Sequence, residues 1–211
     1  MRKKSEILEI MAIFDKQNPH PQCELNYTNA YTLLVAVVLS AQTTDKGVNR
    51  ATRELFQIAD TPEKMINMGE KKLISYIRTI GLFNNKAKHI IALSKDLIER
   101  FNGIVPDNRE DLTTLSGVGR KTANVVLNVW YKKPTLAVDT HVMRISHRLD
   151  FSRAKTPLTI ELDLLKVLPD NYIINANHWL VLFGRYICKA QKPECAQCPI
   201  AKYCYSKDKI I

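Results

Sequence analysis

Four cysteines stand as Cys188-x6-Cys195-x2-Cys198-x5-Cys204 near the end of a 211-residue chain. That spacing can bring four soft thiolates to one centre, and thiolates favour zinc or an iron–sulfur cluster. Ligand type alone leaves both open, although the long first gap and the lack of histidine ligands depart from the usual zinc-finger pattern. Two disulfides would need an oxidising compartment. The opening stretch, Met1 to Lys16, mixes Glu6, Glu9 and Asp15 into an apolar pattern, so it reads as an amphipathic helix and not a secretion signal. No run is long enough to cross a bilayer: the longest, Leu33 to Leu39, is broken by Ser40, Gln42 and Thr43. A cytoplasmic, reducing setting without membrane contact is expected, and with it a metal centre. Cys23, the fifth cysteine, reads as an ordinary thiol.

A second group could handle a phosphate. In Leu115-Ser116-Gly117-Val118-Gly119-Arg120-Lys121 two glycines one residue apart permit a very tight hairpin. A helix starting at about Gly119 would turn its unpaired amides and positive dipole end toward an anion, with Arg120 and Lys121 adding charge. Backbone donors of this kind grip a DNA phosphate without reading sequence. Lysine plus arginine outnumber aspartate plus glutamate by 31 to 21, which agrees with a polyanionic partner. Taken alone, Gly-x-Gly before a helix is also a plain tight turn. Two further segments sharpen it: Val138-Asp139-Thr140-His141, where Asp139 would serve equally as a helix N-cap, and Leu39-Ser40-Ala41-Gln42-Thr43-Thr44-Asp45, polar residues ending an apolar helix.

The elements that must carry these groups are helical. Ile7, Leu8, Met11 and Phe14 mark one face of a first helix, and Tyr31 to Leu39 is apolar all round, as a helix buried within a bundle would be. Asp45 is the expected N-cap of a helix faced by Ala51, Leu55 and Ile58. Leu73, Ile74 and Ile77 form a short helix stopping at Gly81, and Ile90, Ile91, Leu93, Leu97, Ile98 and Phe101 stripe a longer one ending at Gly103. Gly69, Gly81 and Gly103 each sit where a left-handed C-terminal residue is expected. Later helices are expected at Lys121 to Tyr131, His141 to Leu149, Leu158 to Leu168 and Trp179 to Cys188. The fold class is all-α, with Lys132-Lys133-Pro134 as a hinge between two halves.

Together the Gly-Val-Gly-Arg-Lys hairpin, Val-Asp-Thr-His, Leu-Ser-Ala-Gln-Thr-Thr-Asp and the cysteine spacing resemble the endonuclease III family of helix–hairpin–helix DNA glycosylases with AP-lyase activity. The resemblance runs from about Ile7 to Cys204. It implies a two-lobed helical fold: a six-helix barrel over 21–132, and a cluster domain joining 1–20 to 133–211. It implies that Cys188, Cys195, Cys198 and Cys204 hold a [4Fe–4S] cluster. Damaged double-stranded DNA is the implied partner of a protein that acts as a monomer on the bacterial nucleoid. By the same resemblance Gln42 enters the duplex from one loop and Leu82 wedges in from another, while Gly117, Gly119 and Arg120 hold the strand. Lys189 and Lys192, on the loop between the first two cysteines, would meet phosphate, and His141 would orient a phosphate or Asp139. Two positions depart from the family. Ser116 stands where proline is usual, which would loosen the hairpin's entry, and Ala196 where glycine is common.

The implied reaction excises oxidised pyrimidines such as thymine glycol. Lys121 would attack the sugar as a free amine, form a Schiff base and cleave 3′ to the lesion by β-elimination. An ordinary lysine, with a pKa near 10.4, is neutral about one time in a thousand at physiological pH, a handicap of roughly 4 kcal/mol. Burial and the helix N-terminus would both lower it. Asp139 would accept a proton or stabilise positive charge growing on the deoxyribose. Two rivals remain at this point. Adenine-mismatch glycosylases share the cysteine spacing but lack the lysine and carry a further C-terminal domain, whereas this sequence stops seven residues after Cys204. A zinc-dependent DNA-binding module would leave Lys121 and Asp139 without a role.

Overall fold

The computed structural model describes residues 2–210, and among them there are helices and turns but no strand. Positions 1 and 211 lie outside the described residues, the first of them belonging to the stretch expected as an amphipathic helix. The α-helices are α1 (Lys4–Gln17), α2 (Ala30–Leu39), α3 (Asp45–Ile58), α4 (Pro62–Met68), α5 (Glu70–Ile77), α6 (Phe83–Phe101), α7 (Arg109–Leu112), α8 (Arg120–Val129), α9 (Thr140–Arg148), α10 (Pro157–Val167) and α11 (Ile173–Tyr186). Two compact units emerge, Cys23–Lys132 on one side, and Met1–Gln22 with Lys133–Ile211 on the other. No helix among the described residues is long and apolar enough to cross a membrane.

In the Cys23–Lys132 unit, α2 is the central rod. Every residue from Tyr31 to Leu39 is buried, which is why its sequence shows no polar face. Its start is fixed by a capping box: Asn29 accepts from the Thr32 amide, and Thr32 Oγ1 accepts from the Asn29 amide. A second polar group buried near the start of α2, the Tyr31 hydroxyl, meets Ser94 Oγ on α6 at 2.6 Å. Around it pack α3, α6 and α8, with α4 and α5 against α6. Leu33, Leu34, Leu55, Ile77, Ile90, Leu93 and Leu97 are almost fully enclosed, and each such side chain contributes about 1.5–3 kcal/mol.

The other unit has its own core. Ile7, Ile10, Met11 and Phe14 of α1 join Val142 and Ile145 of α9, Ile160 and Leu164 of α10, and Trp179, Leu180 and Phe183 of α11. Phe14 and Phe183 approach to 5.1 Å between ring centres, and Trp179 Nε1 donates to Asn18 O at 2.8 Å. Arg2 is buried beside them, its Nε donating to Leu149 O at 2.6 Å and its Nη2 to Tyr203 O.

Several local expectations change. Thr44, not Asp45, caps α3, accepting from the Gly47 amide, and Asp45 becomes its first helical residue. The inner face of α1 uses Ile10 where Leu8 was expected, and Leu8 points outward; on α3 Ile58 is exposed while Val48 and Phe56 face inward. The last long helix begins at Ile173, ahead of Trp179, and ends at Tyr186 before Cys188. Gly69 and Gly103 adopt φ of 79° and 76°, as expected of helix ends. Gly81 does not. α5 stops at Ile77, and the left-handed residue at this turn is Leu82, with φ 58°.

Candidate nucleic-acid interface and metal centre

The hairpin sits between α7 and α8. Val118 N donates to Leu115 O at 3.1 Å to close the turn, and Gly117 takes φ 76°. A Cβ on Gly117 would lie 2.9 Å from His89 Cβ, so both its conformation and its neighbour require glycine. Gly119 is different. Its φ of −93° is open to any residue and nothing lies within 4 Å of its absent Cβ, so its value is a bare surface. As N-cap of α8 it offers no side chain to the first turn, and that helix start carries no side-chain cap. A helix start of this kind, with its positive dipole end and no side-chain cap, is a favourable place for an anion. Ser116 does not loosen the entry: its Oγ shares a 2.9 Å hydrogen bond with His89 Nδ1, which ties the hairpin to α6.

Lys121 is the second residue of α8 and its side chain is exposed. The folded chain therefore does not itself bury this amine, contrary to the expectation that burial would help to neutralise it.

In the same unit the loop after α2 and the turn before α6 are neighbours. Gln42 and Leu82 are both exposed and both left-handed, at φ 57° and 58°. A Cβ on Gly81 would lie 3.9 Å from Gln42 O, which sets the two backbones side by side. Leu82 is 60% exposed, so the ordinary reading of a leucine after glycine as core does not apply. Between them, under the surface, is Lys86 of α6, whose Nζ donates to Leu39 O at 2.9 Å, Ala41 O at 2.5 Å and Thr43 Oγ1 at 3.2 Å. Burial holds its pKa below the ordinary lysine value.

Asp139 belongs to the other unit, as the N-cap of α9. Its Oδ1 accepts from the His141 and Val142 amides, both at 2.8 Å. The cap fixes the carboxylate's orientation and leaves Oδ2 to act elsewhere. His141 is half-buried, with Nδ1 at 3.2 Å from Arg144 Nη2, and its Cβ would lie 2.8 Å from a Cβ on Gly184, so it is packed on α11 as well as placed beside Asp139.

The four cysteines line one recess with Leu149, Phe183, Ile187 and Ile200, and none of the chain's cysteines forms a disulfide. Among the described residues no three metal-ligating side chains converge as a single-ion site would require. A donor set of four thiolates around one largely apolar recess suits an iron–sulfur cluster. Burial pushes the Cys188 and Cys198 thiols up, with Arg148 working against this at Cys188. Coordination, which deprotonates a thiol outright, would overcome it. Two arginines one turn apart on α9 fasten the loop: Arg144 Nε donates to Cys188 O at 3.1 Å, and Arg148 Nη1 to Cys188 Sγ at 3.3 Å and Lys189 O at 2.7 Å. Within the loop Lys189 pairs with Glu194 at 2.8 Å, whereas Lys192 is exposed at φ 48°.

Lys86, His89, Arg144 and Arg148 escaped the sequence reading. A signal for Lys86 existed: Lys86, Ile90, Leu93 and Leu97 follow one another at helical spacing, placing an amine on the apolar stripe of α6.

Known proteins give this arrangement its family. The model for the HhH-GPD superfamily of base excision DNA repair proteins matches residues 35–170, and that for the iron–sulfur binding domain of endonuclease III matches residues 188–204. Endonuclease III of Haemophilus influenzae is 51% identical over 207 residues, 98% of each chain. Its counterpart in Escherichia coli K12 is 47% identical over the same share of each. A structure of endonuclease III trapped as a covalent intermediate with DNA superposes with a TM-score of 0.91 at 44% identity, covering 97% of both chains. With a helix–hairpin–helix whose second helix starts without a side-chain cap and a four-cysteine recess after its last helix, this DNA-binding chain belongs to the endonuclease III family: a base excision repair glycosylase with AP-lyase activity and a [4Fe–4S] cluster.

Proposed function

We propose that Lys121 is the nucleophile and Asp139 the charge-stabilising and proton-accepting group of this activity. The observation that carries the reading is the position of Lys121: exposed in the first turn of an uncapped helix, directly after a hairpin whose shape depends on Gly117. A strand held by those amides puts a deoxyribose over the amine and supplies the desolvation that the free protein does not. The Lys121 amine attacks C1′ of an extruded nucleotide and the glycosidic bond breaks, its electron pair leaving with the base. After the sugar ring opens, the iminium between Lys121 and C1′ acidifies the C2′ proton. Loss of that proton expels the 3′ phosphate and cuts the strand. Asp139, oriented by its cap, takes the proton from the amine and offsets positive charge on the sugar through Oδ2.

Gln42 and Leu82 fill the space left by the extruded nucleotide, a step requiring a few kcal/mol that damaged pairs lessen. Oxidised pyrimidines in duplex DNA are the substrate, and the protein works as a monomer in the bacterial cytoplasm. Gly117, Gly119 and Arg120 hold the phosphate, with Lys192 adding charge and Lys189 adding less because it pairs with Glu194. His141 keeps the α9 start in shape. Cys188, Cys195, Cys198 and Cys204 would hold the cluster, which would cross-link the 188–204 segment internally, while Arg144 and Arg148 fasten that segment to α9. Borohydride trapping on thymine glycol duplex tests the core of the reading. Wild type should cross-link and Lys121→Ala should not, and a normal cross-link by Lys121→Ala would overturn it.

A further inference from the structure

We propose that Lys86 is a positioning residue that holds Gln42 and Leu82 in register, so that the two enter the duplex as one wedge. The proposal rests on the reading of Gln42 and Leu82 as the groups that enter DNA.

A buried ammonium has to replace its water with other acceptors, and an unmatched one would be strongly unfavourable. Lys86 is 5% exposed, and among the described residues no carboxylate pairs with it. Its three donors meet three oxygens instead: Leu39 O, Ala41 O and Thr43 Oγ1. Leu39 is the last residue of α2, so the cation caps the negative end of that helix. The other two acceptors flank Gln42 on either side. A single amine therefore holds the backbone before, and the side chain after, the residue that projects.

The same lysine fixes the second projecting residue through the main chain. Its amide donates to Leu82 O at 3.0 Å, the first hydrogen bond of α6. Gln42 and Leu82 both hold left-handed conformations that neither side chain favours, and such strain, about 1–3 kcal/mol per residue, persists only where the surroundings over-determine it. Lys86 is bonded to both segments. A shorter or apolar side chain there would free the Ala41–Thr43 loop while leaving α6 intact.

The chemistry selects lysine. Three acceptors arranged around one point suit a compact ammonium with three donors, whereas the planar fork of arginine would not match them. A methionine would fill the channel but hold none of the three.

The test compares base opening with chemistry in the full-length, cluster-loaded protein. Stopped-flow fluorescence of 2-aminopurine beside a thymine glycol reports extrusion, and strand cleavage at a preformed abasic site reports the lyase step without it. Lys86→Met should slow extrusion by about tenfold or more, equivalent to about 1.4 kcal/mol, while abasic cleavage changes less than about threefold. Thr43→Val, which removes one acceptor at the half-buried loop, should slow extrusion by about threefold and serves if Lys86→Met fails to fold. A Gln42→Ala/Leu82→Ala protein supplies the comparison. It should slow extrusion, and adding Lys86→Met to it should add little, because the residues act as a unit. If the double alanine protein opens damaged pairs normally, the wedge reading falls and this proposal with it. If it is slow but Lys86→Met and Thr43→Val open pairs at the wild-type rate, or if the losses add in full, only the role of Lys86 is overturned.

Discussion

Asp139 is both a helix cap and the proposed catalytic carboxylate, and the two roles separate by substitution. Its Oδ1 accepts two amide hydrogens at 2.8 Å, and asparagine retains an oxygen able to do the same. Asp139→Ala removes the cap, which should destabilise by about 1 kcal/mol and lower the melting temperature by about 2–4 °C in a protein of this size. Asp139→Asn keeps the hydrogen bonds and loses only the favourable charge at the helix N-terminus, about 0.5 kcal/mol, so it should melt between wild type and alanine. Activity should follow a different order. General acid–base participation is worth about 10²–10⁴-fold, and neither substitute can take a proton, so both should lose base excision by a comparable factor. Single-turnover excision, thermal melting and affinity for a stable abasic analogue would be measured on the same preparations. Should the asparagine variant excise at close to the wild-type rate while alanine fails, excision would be tracking the cap, and the catalytic role would be wrong. If asparagine melts as low as alanine, the cap geometry itself is mistaken.

Gly117→Ala should lose about 1–2 kcal/mol from its left-handed backbone alone, with further strain from the 2.9 Å approach to His89. Binding to any duplex should weaken irrespective of its sequence, as a filter-binding comparison of several oligonucleotides would reveal. Lys192→Ala should reduce the slope of log affinity against log salt by about one unit, while Lys189→Ala should change it less, because Glu194 already offsets that charge. The purified protein should absorb in the visible and contain iron. Cys198→Ser should bleach that absorption and weaken DNA binding while leaving the Cys23–Lys132 unit folded by hydrogen exchange; a colourless, zinc-loaded wild type would contradict the cluster.

Much of the helical framework was legible because burial leaves a periodic trace. The α2 stretch carries no polar residue between Tyr31 and Leu39 that its neighbours do not satisfy, and its complete enclosure follows from that. Gly69 and Gly103 announced helix ends through the one backbone region that glycine enters freely. The pattern failed where two adjacent residues compete for one role. Thr44 and Asp45 both make good caps, and only the turn's geometry selects Thr44. Gly81 invites a left-handed assignment that the chain gives to Leu82, whose side chain that turn leaves 60% exposed.

For the site, residue types and spacing alone determined what could be done: four thiolates at intervals suited to one centre, a lysine at the start of a glycine hairpin, an aspartate before a helix. Those features survive in sequence because chemistry needs particular atoms at particular intervals along the chain. What only the tertiary structure decided is what lies next to what across long separations. Lys86 reaches the carbonyls at the end of α2, and His89 lies beneath Gly117 and bonds Ser116. Arg148 reaches the Cys188 sulfur. The exposure of Lys121 belongs to the same class. Contacts of this kind depend on which helix faces pack together, and no local spacing records that.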